Sequence, residues 1–165
     1  MQNTLQQPEF VQLIQEHQAL IHKVCSLYGN SVPDREDLFQ EIVIQLWKAY
    51  PKFRGDSKFS TWLYRIALNT AISGLRRKKN NISFLEPEKL PVNIQEETYD
   101  QRQEEQLQKM YAAIRELSEV ERALVMLYLE DKSYDEMEDI LGINQNNLRV
   151  KMNRIKEKLR KLTNQ

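Results

Sequence analysis

The residues of this chain best suited to recognition chemistry are amides and cations gathered at the start of one segment: Gln145, Asn146, Asn147 and Arg149, followed by Lys151 and Arg154. A side-chain amide can pair bidentately with an adenine edge, and a guanidinium with guanine. Cations farther along hold phosphates, which sets register and carries no sequence information. These residues follow Ser133-Tyr134-Asp135-Glu136 and then Leu141-Gly142-Ile143. The first run is a capping box, with Ser133 as the cap, and the glycine supplies the left-handed stop that ends a helix. A capped short helix, a glycine turn and a basic helix capped by Asn144 make a helix-turn-helix, which turns the first residues of its second helix toward the major groove. The competing description is a plain helical hairpin with a basic exterior.

A second group is Trp62, Arg65, Asn69, Ser73 and Arg76, at steps of three and four that place them on one side of a helix. Just before it, Phe53 to Phe59 is a short polar loop with a glycine, the cations Arg54 and Lys58, and an aromatic at each end. Aromatics that stack on unpaired bases, beside cations that follow the backbone, form a platform for single strands. The competing description, favoured by the residues taken alone, is that Trp62 and Phe59 are core anchors. A third group, Asp37, Gln40, Glu41, Gln45 and Lys48, lies on one side of another helix, for which an ordinary solvated face is the default reading.

Nothing in the sequence points to bond-making chemistry. It has no phosphate loop and no paired nucleophile and base. The single cysteine, Cys25, sits among Ile21, Val24 and Tyr28 as a small core hydrophobe, and His17 and His22 are five apart and do not share a helix face. No metal site and no cofactor are expected, nor is an enzyme. There is no leader segment and no long apolar run, so a cytoplasmic protein without membrane insertion is expected.

The elements that must carry these groups are helical. Glycines and prolines are few, with four and five in 165 residues, and the apolar residues recur at helical period. Helices are expected from about Glu9 to Tyr28 and from a cap at Asp34 to Tyr50. A third should run from Ser60 or Thr61 to about Lys79, and a fourth should carry Leu107, Met110, Tyr111, Ile114 and Leu117. Ser118-Glu119-Val120-Glu121 is another capping box, and Leu148, Met152, Ile155, Leu159 and Leu162 are the seam of the last helix. From Asn80 to about Tyr99 the period fades among acids, asparagines, Pro87 and Pro91, which reads as a linker. Net charge is zero, but this is a sum of unlike parts: Lys48 to Lys79 holds nine cations against Asp56, and Arg149 to Lys161 holds seven against Glu157. Two basic patches with an acidic connector suit two nucleic-acid contacts, or two solvated helix faces. The expected architecture is all-α, with two small helical domains at residues 5–80 and 101–165 joined by a flexible acidic linker at 81–100.

The runs Asp37-Leu38-Phe39-Gln40-Glu41, Leu46-Trp47, Phe53 through Asn69, and Arg76-Arg77 resemble region 2 of the extracytoplasmic-function (ECF) subfamily of sigma-70 type RNA polymerase sigma factors. Leu117-Ser118, Ser133-Tyr134-Asp135-Glu136 and Leu141-Gly142-Ile143 resemble region 4 of the same family. The resemblance implies a two-domain factor that binds core RNA polymerase through Asp37, Gln40, Glu41 and nearby Trp47. It implies recognition and melting of the −10 promoter element by Phe53, Arg54, Lys58, Phe59, Trp62, Arg65, Asn69, Arg76 and Arg77. It implies reading of the −35 element by Ser133, Gln145, Asn146, Asn147, Arg149, Lys151 and Arg154. The partners it implies are core RNA polymerase, promoter DNA and an anti-sigma factor. Met137 and Glu138 depart from the family pattern, which usually has isoleucine and alanine there. The competing functional classes are a stand-alone helix-turn-helix regulator, which needs neither Trp62 nor Asn69, and a helical adaptor indifferent to substitution across Gln145 to Arg149.

Overall fold

A computed structural model describes residues 2–81 and 101–163, and the regular elements within them are all helical. Two compact units divide the chain, residues 1–82 and 83–165. The first contains α1 (Gln2–Tyr28), α2 (Val32–Ala49), a 3-10 turn (Tyr50–Lys52) and α3 (Phe59–Asn81). The second contains α4 (Gln101–Arg115), α5 (Glu119–Leu129), α6 (Tyr134–Leu141) and α7 (Gln145–Thr163). The expected linker lies outside the described residues apart from Asn81, which closes α3.

In the first unit α1, α2 and α3 pack on one another around Ile21, Val24, Ile42, Leu46, Leu63, Tyr64, Ala67 and Leu68, all fully buried. The seams follow the three-and-four spacing of the sequence. Two boundaries differ from expectation. α1 begins before Glu9 and runs through Pro8, which costs one backbone donor without ending the helix. α2 is capped by Ser31, whose Oγ accepts the Asp34 amide at 3.3 Å, so Asp34 is a first-turn acid and not the cap. Cys25 is buried as expected, and burial pushes its thiol up to about 11, which keeps it protonated and unreactive.

The α1–α2 corner depends on a missing side chain. Gly29 is buried, and a Cβ there would lie 2.6 Å from Arg35 Cγ, 3.0 Å from the Cys25 carbonyl oxygen and 3.1 Å from the Arg35 amide nitrogen. The Arg35 stem can move, but the two backbone atoms cannot without reopening the corner. Gly29→Ala is therefore expected to destabilise the first unit by about 1–3 kcal/mol, the usual cost of overpacking. Faster amide exchange across α1 and α2 in the full chain measures it, and unchanged exchange contradicts it.

In the second unit α4, α5 and α6 each pack on α7, whose Leu148, Met152 and Ile155 are buried as the seam predicts, while Leu159 and Leu162 are half-buried. Ile114 and Leu117 are buried, but Tyr111 is 40% exposed and Ala113 takes an inward place instead. The Leu107 side chain lies outside the described set. The Ser118 box is complete: Ser118 Oγ accepts the Glu121 amide, and the Ser118 amide donates to Glu121 Oε1 at 3.0 Å. Burial alone raises the Glu121 pKa. The bonds from Ser118 and the Lys158 ammonium, 3.6 Å away, outweigh it and hold the carboxyl below its ordinary value. The second box is half formed. Ser133 Oγ accepts the Glu136 amide at 3.1 Å, while the Glu136 carboxylate pairs with Lys132 at 3.6 Å.

Between α5 and α6 the chain closes a helix end that the sequence does not advertise. The Lys132 amide donates to the Leu127 carbonyl and the Asp131 amide to the Tyr128 carbonyl, the two bonds of a Schellman motif. Its left-handed residue is Asp131, at φ 57°, where glycine is usual. Asp131→Gly is expected to raise the stability of the second unit by about 0.5–1 kcal/mol, the part of the left-handed cost that outlasts glycine's larger chain entropy. Denaturant unfolding followed at α5 and α7 checks the sign.

Candidate functional site

The loop before α3 is closed by its own aromatics. Phe53 and Phe59, at its two ends, pack on each other at 5.7 Å between centroids, and on Trp62 at 5.0 and 5.3 Å. All three rings are half-buried, so they anchor the loop and still reach the surface. Arg54, Asp56, Ser57 and Lys58 stand exposed between the anchors, with Gly55 at φ 78°. Beyond Trp62 the same side of α3 carries Arg65, Asn69, Ser73 and Arg76, all exposed. The structure thus brings together Phe53, Arg54, Lys58, Phe59, Trp62, Arg65, Asn69 and Arg76 as a continuous band of aromatics, cations and one amide.

Two supports of this band were not singled out in the sequence. His17 packs on Phe59 at 4.9 Å, and its Nδ1 lies 2.9 Å from the Leu13 carbonyl, which can only accept, so that nitrogen carries the proton. Tyr50 touches Trp62 edge-on and packs on Phe10. Burial and the neighbouring Glu9 carboxylate raise the Tyr50 pKa, keeping its hydroxyl protonated. The signal for His17 was its spacing: it stands between Ile14 and Ile21 on the three-and-four stripe of α1 that faces the core.

On α2, Asp37 and Gln40 are exposed and Glu41 is half-exposed, accepting from Gln45 at 3.0 Å. Ile44, absent from the sequence reading, lies one turn beyond Gln40 and Glu41 and is 46% exposed. Trp47 is turned off this side and packs on Phe10 at 5.0 Å. Asp37 and Glu41, with Asp34 and Leu38, form one wall of a cavity of about 520 Å³. The other wall comes from α3 and includes Ala71, Gly74, Leu75 and Arg77. Arg77 therefore lies across from acids of α2, away from its expected companions at Trp62 and Asn69.

In the second unit α6 and α7 form the helix-turn-helix. Gly142 ends α6 at φ 71°, its amide donating to the Glu138 carbonyl at 2.7 Å. Asn144 starts α7, its Oδ1 accepting the Asn146 amide at 2.9 Å. Met137 and Ile140 are buried while Glu138 is half-exposed, so a glutamate at the usually small position is accommodated at the edge of the contact. Asn146, Asn147, Arg149, Lys151 and Arg154 are exposed, and Ser133 is occupied in capping. Gln145 is half-buried and donates to Asp135. Val150, not identified from sequence, is 49% exposed opposite the Leu148–Met152 seam, beside Asn146 and Arg154.

These two units, an aromatic-closed loop on a three-helix bundle and a helix-turn-helix, correspond to known sigma-70 modules. Residues 13–81 match Sigma-70 region 2, and residues 107–159 match Sigma-70, region 4. The ECF RNA polymerase sigma-E factor of Escherichia coli (strain K12) is 33% identical over 149 residues, covering 82% of this chain and 78% of the relative. The ECF RNA polymerase sigma factor SigG of Mycobacterium tuberculosis is 44% identical over 55 residues, 33% of this chain and 15% of that protein. Among solved structures, CnrH in complex with the cytosolic domain of CnrY aligns with a TM-score of 0.68 at 21% identity, covering 96% of this chain and 89% of that one. The sigma factor RpoE, in complex with the anti-sigma factor NepR from Bartonella quintana, aligns with a TM-score of 0.70 at 19% identity, covering 93% and 96%. The chain belongs to the ECF sigma factors of RNA polymerase.

Proposed function

We propose that this chain acts without bond chemistry of its own, docking on core RNA polymerase and directing it to promoters through two separate DNA contacts. The docking surface is the outward side of α2: Asp37, Gln40 and Glu41, with Ile44 adding an apolar centre. Trp47 supports this helix through Phe10. The −10 element is recognised and opened by the band Phe53, Arg54, Lys58, Phe59, Trp62, Arg65, Asn69 and Arg76. Arg77 faces the acidic wall of α2 across the cavity. Extruding one base costs a few kcal/mol, which an aromatic and amide surface offsets. The −35 duplex is read by Gln145, Asn146, Asn147 and Arg149, with Lys151 and Arg154 on phosphates and Ser133 setting the start of α6.

The domain roles follow: residues 5–80 bind polymerase and open DNA, 81–100 connect, and 101–165 read duplex. The observation that carries this reading is the exposed Arg65–Asn69–Ser73–Arg76 strip beside a loop closed by three half-buried rings, in the same chain as a helix-turn-helix. A stand-alone helix-turn-helix regulator has no use for that strip. With zero net charge, the free chain lacks the electrostatic footprint of an independent DNA binder, so polymerase completes the affinity. A protein regulator of the anti-sigma kind is a further proposed partner, since the structural neighbour RpoE is described with NepR. No described helix is long and apolar enough to cross a membrane, and the proposed place of action is the cytoplasm.

Run-off transcription with purified core polymerase on a promoter library tests the whole reading. Specific transcripts are expected only when the chain is added. Their absence, together with tight operator binding by the chain alone at physiological salt, transfers the function to the stand-alone class.

A further inference from the structure

We infer that Tyr134 and Asp135, the first two residues of α6, are positioning residues that orient Arg149 and Gln145 for reading duplex DNA. The inference rests on the reading of α7 as the helix that enters the major groove. The Arg149 guanidinium carbon lies 5.3 Å from the centroid of the Tyr134 ring. Gln145, one turn before Arg149, donates its amide N–H to Asp135 Oδ1. Two base-reading candidates on α7 are thus each held by one of two adjacent residues on α6.

The holders are themselves fixed. Ser133 caps α6 directly before them, and Met137 and Ile140 bury its inner side. Leu148 and Met152 fix α7 on its own seam. Contacts between groups on two pinned helices restrict side chains, not helices. A long exposed arginine otherwise loses rotamer freedom at the moment it binds.

The geometry leaves the reading atoms available. A cation–π contact holds the Arg149 guanidinium over the Tyr134 ring without a hydrogen-bond acceptor, while a guanine pair needs two N–H donors for N7 and O6. The Tyr134 contact therefore orders Arg149 without taking a hydrogen bond that guanine needs. Gln145 is constrained more tightly. Asp135 is a carboxylate and can only accept, so the Gln145 NH2 must face it and the amide oxygen must face away. An outward oxygen selects a base that offers an amino group to the major groove, adenine N6 or cytosine N4. The pair Tyr134–Asp135 thus assigns guanine to one position of the duplex site and an amino-bearing base to another.

The test uses holoenzyme assembled from core polymerase and the full chain, with all four bases placed in turn at each −35 position. Tyr134→Leu is expected to reduce the guanine preference at one position by about two- to five-fold, the equivalent of an exposed cation–π contact. Tyr134→Phe keeps the ring and should keep the preference. The position affected should be the one that Arg149→Ala relaxes, and in an Arg149→Ala background Tyr134→Leu should change base preference no further. Asp135→Ala should relax a different position, toward tolerance of guanine and thymine.

A purely structural role for Tyr134 weakens all four bases equally, makes Phe no better than Leu, and adds to Arg149→Ala; any of these overturns the assignment. A wild-type holoenzyme that prefers no base at any −35 position overturns both this inference and the duplex-reading role on which it rests. Preserved wild-type preference that is indifferent to Tyr134 and Asp135 overturns the inference alone.

Discussion

Asp37→Lys combined with Glu41→Lys is expected to weaken association with core polymerase by about 10- to 100-fold, since like charges brought together across an interface cost up to several kcal/mol. Asp37 is exposed and Glu41 half-exposed, so neither change empties a core site. The pair lies one turn apart on α2, with Gln40 and the exposed Ile44 completing the same surface. Reversal adds four charge units to a surface that faces Arg77 across the cavity. The new cations also approach Arg77, so a neutral pair, Asp37→Asn with Glu41→Gln, serves as the control for folding and should give a smaller loss. Titration of labelled chain with core polymerase reads both, and the loss should shrink as salt rises. Reversed protein that still co-elutes at unchanged affinity takes this side of α2 out of the interface.

Where local chemistry and tertiary packing agree, the sequence was a sufficient guide. The Ser118 box, the left-handed Gly142 and the Leu148–Met152–Ile155 seam each depend on residues a few positions apart, and each stands where spacing put it. The band from Phe53 to Arg76 was also legible, because a helical face and a short loop are local patterns. What spacing could not give was which side of a helix meets a neighbour. Trp47 shares a helix with Asp37 and Glu41, yet its partner Phe10 lies on α1. Arg77 follows Arg76 in sequence, yet one helical step of about 100° carries it toward the acids of α2. The same limit hid the hold of Tyr134 on Arg149, since a contact between residues fifteen apart has no periodic signature. Ser31 displaced Asp34 as the α2 cap for a simpler reason. Pro33 suits the first turn of a helix, where its missing N–H costs nothing, so the cap must lie before it.

Asn69→Ala is expected to slow opening of a duplex promoter by about 5- to 150-fold while leaving polymerase binding unchanged, since an unmade hydrogen bond to a desolvated base edge costs about 1–3 kcal/mol. Asn69 is exposed on α3, one turn beyond Arg65 and clear of the buried Leu68 and Ala67. Alanine is a better helix former than asparagine by about 0.6 kcal/mol, so the substitution favours α3. A slower opening therefore cannot come from a weaker fold. The comparison that isolates the role is a promoter melted in advance over the −10 element. There the unstacking cost has already been met, and the variant should recover most of its rate on it. Trp62→Ala is a poorer probe, because Trp62 packs on Phe53 and Phe59 and its loss loosens the whole loop. Equal defects of Asn69→Ala on duplex and pre-melted DNA move the residue from base capture to a general DNA contact, and normal opening on duplex DNA removes it from the site.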